Sequence, residues 1–414
     1  MYDRQLASRL TAALADTPVV LLHGARQTGK STLAQQVASG PHPALYLTLD
    51  DAVVLSAAKT DPGGFIANLR GPVVIDEVQR APELFLPIKA AVDRNRHPGR
   101  FLLTGSANIF LVPRLSESLA GRMVILTLYP LAQVEIEATG EGLVDRLFSD
   151  VPLSTGVVTT DRDDVIRRLV VGGYPEVLDR SSDRRNEWFA SYVTTILQKD
   201  VRDLAQRVER LTEFPRLMAV LATRTGTLLN VADISRVLGI PYMTLSRYLT
   251  LLQATFLVQL VPAWTASTRR RFLKAPKIVM QDTGLAAHLV STDPVRIASD
   301  PDLLGGLLET FVVTELIKQA TWSRTQPSCN HYRTTTGEEV DLVLEDRSGR
   351  VVGVEVKAAA TIGKGHFKGL RGLAGVSGPK FHRGVLFYLG EAIVPFGDRL
   401  FAVPVPALWR PHPQ

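Results

Sequence analysis

The feature that most restricts this chain is the run Gly24-Ala25-Arg26-Gln27-Thr28-Gly29-Lys30-Ser31. It follows an apolar stretch of strand composition, Val19–His23, and opens a helical pattern over Lys30–Ser39. Strand, glycine-rich loop and helix in that order make a phosphate-binding loop. Glycines let successive backbone N–H groups turn inward on a phosphate, and the helix N-terminus adds partial positive charge. Lys30 is then expected to reach the β- and γ-phosphates, and the Ser31 hydroxyl to ligate Mg²⁺. Gly24, Ala25, Arg26, Gln27, Thr28, Gly29, Lys30, Ser31 and the next residue, Thr32, form the expected nucleotide site.

A second apolar run, Val73-Val74-Ile75, ends in Asp76-Glu77. Asp76 is expected to hold Mg²⁺ through water, and Glu77 to polarise the attacking water as general base. An acidic pair placed so argues for hydrolysis rather than binding alone. The next strand, Phe101–Thr104, runs into Gly105-Ser106-Ala107-Asn108. Ser106 or Asn108 is the candidate sensor of the γ-phosphate, with an ordinary strand-ending turn as the competing reading. Arg26, Arg114 and Arg122 are candidate arginine fingers or γ-phosphate contacts, each weighed against a solvated surface arginine.

Strand-like runs at Ala44–Leu49, Pro72–Asp76, Arg100–Thr104 and Met123–Leu128 alternate with helix-length segments such as Glu83–Arg94. This predicts an α/β unit, a parallel sheet with helices on both faces. From about Leu131 the pattern turns helical, broken by a Pro/Gly/Thr-rich linker or loop at Val151–Asp163. A chain of 414 residues exceeds one ordinary core. The expected division is 1–150, a nucleotide-binding domain; 160–270, a helical middle; and 271–414, a second α/β domain.

With 45% hydrophobic and 21% charged residues, disorder is not expected. Met1–Asp16 reads as an amphipathic helix and not a signal peptide, and no apolar run nears the roughly 18 residues of a membrane span. The single cysteine, Cys329, excludes an internal disulfide framework and fits a reducing compartment. A cytoplasmic protein without a membrane partner is expected. A net charge of +6 permits nucleic-acid binding without requiring it.

Leu228–Trp264 has helix-turn-helix spacing: Val231–Leu238, a turn at Gly239-Ile240-Pro241, then Tyr242–Ala254. Leu245, Leu249 and Leu252 are expected buried, and Thr244, Ser246 and Arg247 exposed. Phe256–Val261 with the basic run Arg269-Arg270-Arg271 reads as a wing with a charged tip. Modules of this winged-helix-like kind bind DNA through the second helix, or serve only as protein contacts.

Further on, an apolar helix over Leu303–Thr321 carries Glu309 and Glu315. Glu338–Leu344, a turn at Arg347-Ser348-Gly349 and Val351–Lys357 make a hairpin. It would bring Asp341, Glu355 and Lys357 to one edge, since residues two apart share a strand face. Two carboxylates can chelate a divalent ion beside a phosphodiester, and a lysine can orient water. Glu309, Asp341, Glu355 and Lys357 are the candidate nuclease site, in the D-x₁₃-E-x-K order of PD-(D/E)XK nucleases. The competing reading is a nuclease-like fold whose site serves structure or binding.

Gly24–Leu33, Val73–Arg80 and Leu103–Asn108 resemble a family of prokaryotic AAA-type ATP-binding proteins. Gln281-Asp282-Thr283-Gly284-Leu285, Gly305–Glu309, Gly337–Asp341 and Glu355-Val356-Lys357 resemble that family's C-terminal domain of unknown function, which has a restriction-endonuclease-like core. The resemblance implies ATP as ligand and an ATPase fold with Mg²⁺. Two classes stay open: an ATPase acting on DNA, and an ATP-dependent switch whose partner is another protein. No oligomeric state follows from the sequence.

Overall fold

In this computed structural model the described residues are 2–410, apart from 107–118, 141, 152, 154, 160, 202–210 and 267–273. The apolar run Val19–His23 forms β1, buried along its whole length. It lies between β4 (Phe101–Gly105) and the edge strand β5 (Met123–Thr127) in a five-stranded parallel sheet that also holds β2 (Leu45–Thr48) and β3 (Val73–Asp76). The order is β2-β3-β4-β1-β5. Successive side chains leave opposite faces, so β1 feeds two cores. Val19 and Leu21 pack with the helices of residues 52–94, whereas Val20 and Leu22 pack with the helices Leu6–Asp16 and Lys30–Ser39. Every strand C-terminus therefore points to one edge, and the phosphate-binding loop leaves that edge from β1.

The middle of the chain is helical and ends in the predicted pair, Val231–Leu238 and Tyr242–Ala254. Asn230 caps the first through its side chain, and Gly239 closes it with φ 71, a conformation glycine adopts without strain. Leu245, Leu249 and Leu252 are buried, while Arg247 is exposed and Thr244 and Ser246 are half-buried. An antiparallel ribbon follows, β7 (Val258–Val261) with β8 (Lys277–Met280). The basic run Arg269–Arg271 lies outside the described residues. The expected boundary at 270/271 is corrected here, because it would cut this ribbon in two: β8 belongs with the middle.

The last unit is a seven-stranded mixed sheet. It contains β6 (Gly156–Val157), β9 (Ser328–Arg333), β10 (Glu339–Glu345), β11 (Val351–Lys357), β12 (Phe381–Tyr388), β13 (Ala392–Pro395) and β14 (Leu400–Pro404). Its order is β6-β13-β14-β12-β11-β10-β9. The stretch read as a linker thus contributes an edge strand, β6, to this sheet. The helix Pro301–Trp322 packs against the sheet, started by the Asp300 side chain accepting from Leu303 N at 3.1 Å. Its apolar residues leave no open face, and it is buried nearly all round. Its Glu315 accepts from Gln133 N at 2.7 Å and its Gln319 from Leu143 N at 2.6 Å, tying the chain after β5 to the C-terminal unit. Among the described residues, no helix is long and apolar enough to cross a membrane.

Candidate functional sites

The loop after β1 is shaped by backbone that only some residues allow. Gly24 has φ 153, and a Cβ there would lie 2.1 Å from the Leu128 carbonyl oxygen. Gly29 has φ 90 where the helix Lys30–Ser39 begins. Lys30 is buried, and its Nζ donates to the Ala25 carbonyl across the loop at 2.7 Å. Arg4 clamps the assembly from the N-terminal side, donating to Thr28 O at 2.6 Å and Tyr129 O at 2.8 Å while pairing with Glu135 at 3.0 Å. From the middle unit, the Tyr192 hydroxyl donates to Arg26 O at 3.3 Å.

Below the loop, Ser31 Oγ donates to Asp76 Oδ1 at 3.0 Å, although the two residues are 45 positions apart. Asp76 also accepts from the Tyr46 hydroxyl at 2.7 Å and from Thr104 Oγ1. Burial, and next the Asp76 carboxylate, push the Tyr46 phenol above its ordinary range, so it stays a donor. Thr104 in addition accepts from Glu77 N at 3.1 Å, so one hydroxyl links both acidic residues. Glu77 sits in the left-handed region at φ 60, a conformation costing a non-glycine residue on the order of 1 kcal/mol. Its Oε2 accepts from Gln79 Nε2 and from Ser106 Oγ at 3.2 Å, and Gln79 Nε2 also donates to Ser106 Oγ at 2.8 Å.

This donor set fits a hydrated Mg²⁺ on a triphosphate: one hydroxyl and one carboxylate side by side, below the loop that opens the helix Lys30–Ser39. Ser31 and Asp76 would hold the ion, which when bound draws charge from the phosphate oxygens. Lys30 would exchange its loop carbonyl for phosphate.

Among the sensor candidates, Ser106 lies beside Glu77, and Asn108 falls outside the described residues, as does Arg114. Arg26 is half-buried at the loop itself. Arg122 precedes β5, at the opposite edge of the sheet, and pairs there with Asp93. Thr104, Tyr46 and Arg4 were missed by sequence reasoning. Gln79 stood inside the Val73–Arg80 stretch without a role.

The second site lies on the C-terminal sheet. β10 and β11 are antiparallel with Leu342 opposite Val354, which sets Asp341 beside Glu355. Glu309, Asp341, Glu355 and Lys357 line one cavity of about 500 Å³. Glu355 Oε1 accepts from Lys357 Nζ at 2.6 Å, and Asp341 Oδ2 from Val356 N at 2.9 Å. Sequence reasoning missed a fifth member, Lys277 of β8. Its Nζ lies 2.7 Å from Glu309, 2.7 Å from Glu339 and 3.1 Å from Asp341. Burial alone would lower this amine, but Asp341, Glu309 and Glu339 raise it above its ordinary range, so it is charged. Burial first, and Asp341 next, push the Glu309 and Glu355 carboxyls up to about 8.

Family models match three stretches of the chain: a AAA domain at residues 16–137, Domain of unknown function (DUF8612) at 162–296, and Domain of unknown function (DUF4143) at 304–408. Over 405 residues the chain is 33% identical to Uncharacterized protein Rv2008c of Mycobacterium tuberculosis, covering 97% of this chain and 83% of that one. The corresponding protein of Mycobacterium bovis matches at the same identity and coverage. The chain belongs to their family. Its first unit is a AAA-type P-loop ATPase domain, followed by a helical middle and a C-terminal sheet domain. Among solved structures, the RuvB Holliday junction branch migration motor of Thermotoga maritima aligns with 62% of this chain and 89% of its own, at 18% identity and a TM-score of 0.31. The Aeropyrum pernix ORC2 protein in its ADP form aligns with 76% and 91%, at 15% identity and a TM-score of 0.27. Likeness at these scores carries no functional argument for this family.

Proposed function

We propose that the chain binds and hydrolyses ATP with Mg²⁺ at residues 24–32, and that the cycle drives work on DNA. One observation carries the hydrolytic part: Ser31 and Asp76 stand 3.0 Å apart under the lysine-closed loop, with Glu77 next in sequence. Asp76 and Ser31 hold the ion, Lys30 binds the β- and γ-phosphates, and Glu77 takes the proton of the attacking water. Ser106 and Gln79 fix the Glu77 carboxylate and read the γ-phosphate through it. Support for DNA is the helix pair 231–254 with its ribbon, of winged-helix-like form, which leaves Arg247, Tyr242 and Met243 at the surface of the second helix. Four nuclease-type residues in one cavity add to it.

A second reading is favoured by Lys277, whose ammonium occupies that carboxylate cluster: ATP switches contact with a protein partner, and the C-terminal site is inert. The deciding measurement is ATP turnover with and without single-stranded and duplex DNA, across a salt series. DNA stimulation that fades steeply with salt supports the first reading, because phosphate contacts release counterions. Turnover indifferent to DNA at every salt concentration would leave the protein-partner reading standing.

A further inference from the structure

The carboxylate site of the C-terminal sheet is completed by a residue from another unit. Lys277 is 2% exposed, and its backbone is held on both sides, by Val261 in the ribbon and by a bridge to Leu228. An ammonium has three N–H donors. Lys277 directs them at three carboxylates, on the helix Pro301–Trp322 (Glu309) and on β10 (Glu339 and Asp341). These oxygens include two that a divalent ion between Glu309 and Asp341 would need. Metal–oxygen bonds are about 2.0–2.6 Å, so an ion and the ammonium cannot occupy that space together. Among the described residues, no three His, Cys, Asp or Glu side chains are gathered as metal ligands.

One acceptor is left over. Glu355 is 7% exposed; its Oε1 is taken by Lys357 Nζ at 2.6 Å, and its Oε2 has no hydrogen-bond partner among the described residues. A buried carboxylate oxygen left in that state costs free energy, and a cation beside it would remove the cost. Glu355 Oε2 is thus an acceptor that neither Lys277 nor Lys357 uses.

Withdrawal of Lys277 is a matter of one docked segment. Pro262–Trp264 runs along β9: His331 N donates to Pro262 O at 2.8 Å, Ala263 bridges His331, and Trp264 is 2% exposed. Lys274 Nζ donates to Arg333 O at 2.8 Å on the same edge. Ribbon and lysine therefore leave the sheet together or not at all.

We propose that Lys277 is the resident counter-cation of this site, so that the docked ribbon excludes a divalent ion and the site takes Mg²⁺ or Mn²⁺ only when the ribbon withdraws. Of the two readings of the C-terminal site, this assigns inertness to the docked state alone. It does not depend on ATP turnover.

The test is Mn²⁺ binding to the full chain without nucleotide, followed by the electron paramagnetic resonance of free Mn²⁺. In the wild type, Asp341→Asn is expected to leave the binding curve unchanged. Lys277→Met should gain one site, about tenfold tighter or more than any before, and Asp341→Asn in that background should remove it. Loss of a wild-type site on Asp341→Asn overturns the proposal, as does a folded Lys277→Met protein that gains none. Should Lys277→Met not fold by circular dichroism, Lys277→Gln takes its place, and the wild-type comparison decides in either case. Omitting nucleotide keeps a failure of ATP hydrolysis separate from a failure here.

Discussion

Two acidic sites in one chain have opposite partners. Asp76 and Glu77 are held by neutral donors, the hydroxyls of Ser31, Tyr46, Thr104 and Ser106 and the amide of Gln79. Glu309, Asp341 and Glu339 are held by the ammonium of Lys277. Neutral donors orient a carboxylate without cancelling its charge, so it keeps its attraction for a metal ion. An embedded ammonium cancels charge and fills space at once. The comparison teaches that gathered carboxylates do not define a metal site until their resident donors are known.

The comparison can be broken by mutation. The largest effects belong to the first site: Lys30→Ala should abolish tight ATP binding, while Glu77→Gln keeps binding and slows turnover by roughly 10² or more. Wild-type turnover in Glu77→Gln would remove Glu77 from the general-base role. At the second site, Lys277→Ala should cost about 3 kcal/mol, because it leaves buried Asp341 facing half-buried Glu309 and Glu339 with no counter-charge between them. Chemical denaturation measures this, and an unchanged midpoint would mean that the cluster is hydrated and the ion pairs idle.

Thr104→Val sharpens the contrast on the ATP side. It leaves Glu77 N without its acceptor, which should cost about 1–3 kcal/mol of stability and lower turnover more than ATP affinity. Equal loss of both would make Thr104 a packing residue. The smallest expected effect is a slope. Glu355 has its carboxyl raised to about 8 in the fold by burial first and Asp341 next. A carboxyl raised on folding stabilises below the ordinary carboxylate range, and that contribution is lost as pH climbs towards about 8. Glu355→Gln should therefore flatten the fall of stability over that interval, read from melting temperature against pH. An unaltered slope would place the titration elsewhere.

Much of the first site is legible in sequence because its parts are local. A loop of fixed glycine spacing must turn its amides inward, and an apolar strand ending in Asp76-Glu77 must present them at the sheet edge. Thr104 was not legible as their link, since a threonine closing a strand is ordinary until β4 is known to lie beside β3. At the second site, Lys357 could be picked out because it shares a strand face with Glu355. Lys277 could not: it stands 32 positions from Glu309 and 64 from Asp341, on a ribbon whose docking no periodicity announces. The notional linker at Val151–Asp163 hid a strand for a similar reason, because two residues of β6 find their partner only in β13.

By itself, then, the chain's residue order determined the parallel sheet, the phosphate loop, the helix pair and the hairpin of Asp341 and Glu355. All of these rest on periods of two and 3.6 residues and on turns closed within a few positions. Tertiary structure alone decided which donor each carboxylate meets. Those meetings depend on strand order and on the docking of one unit against another, and the free energy of a buried charge is set by whatever is packed a few ångströms from it.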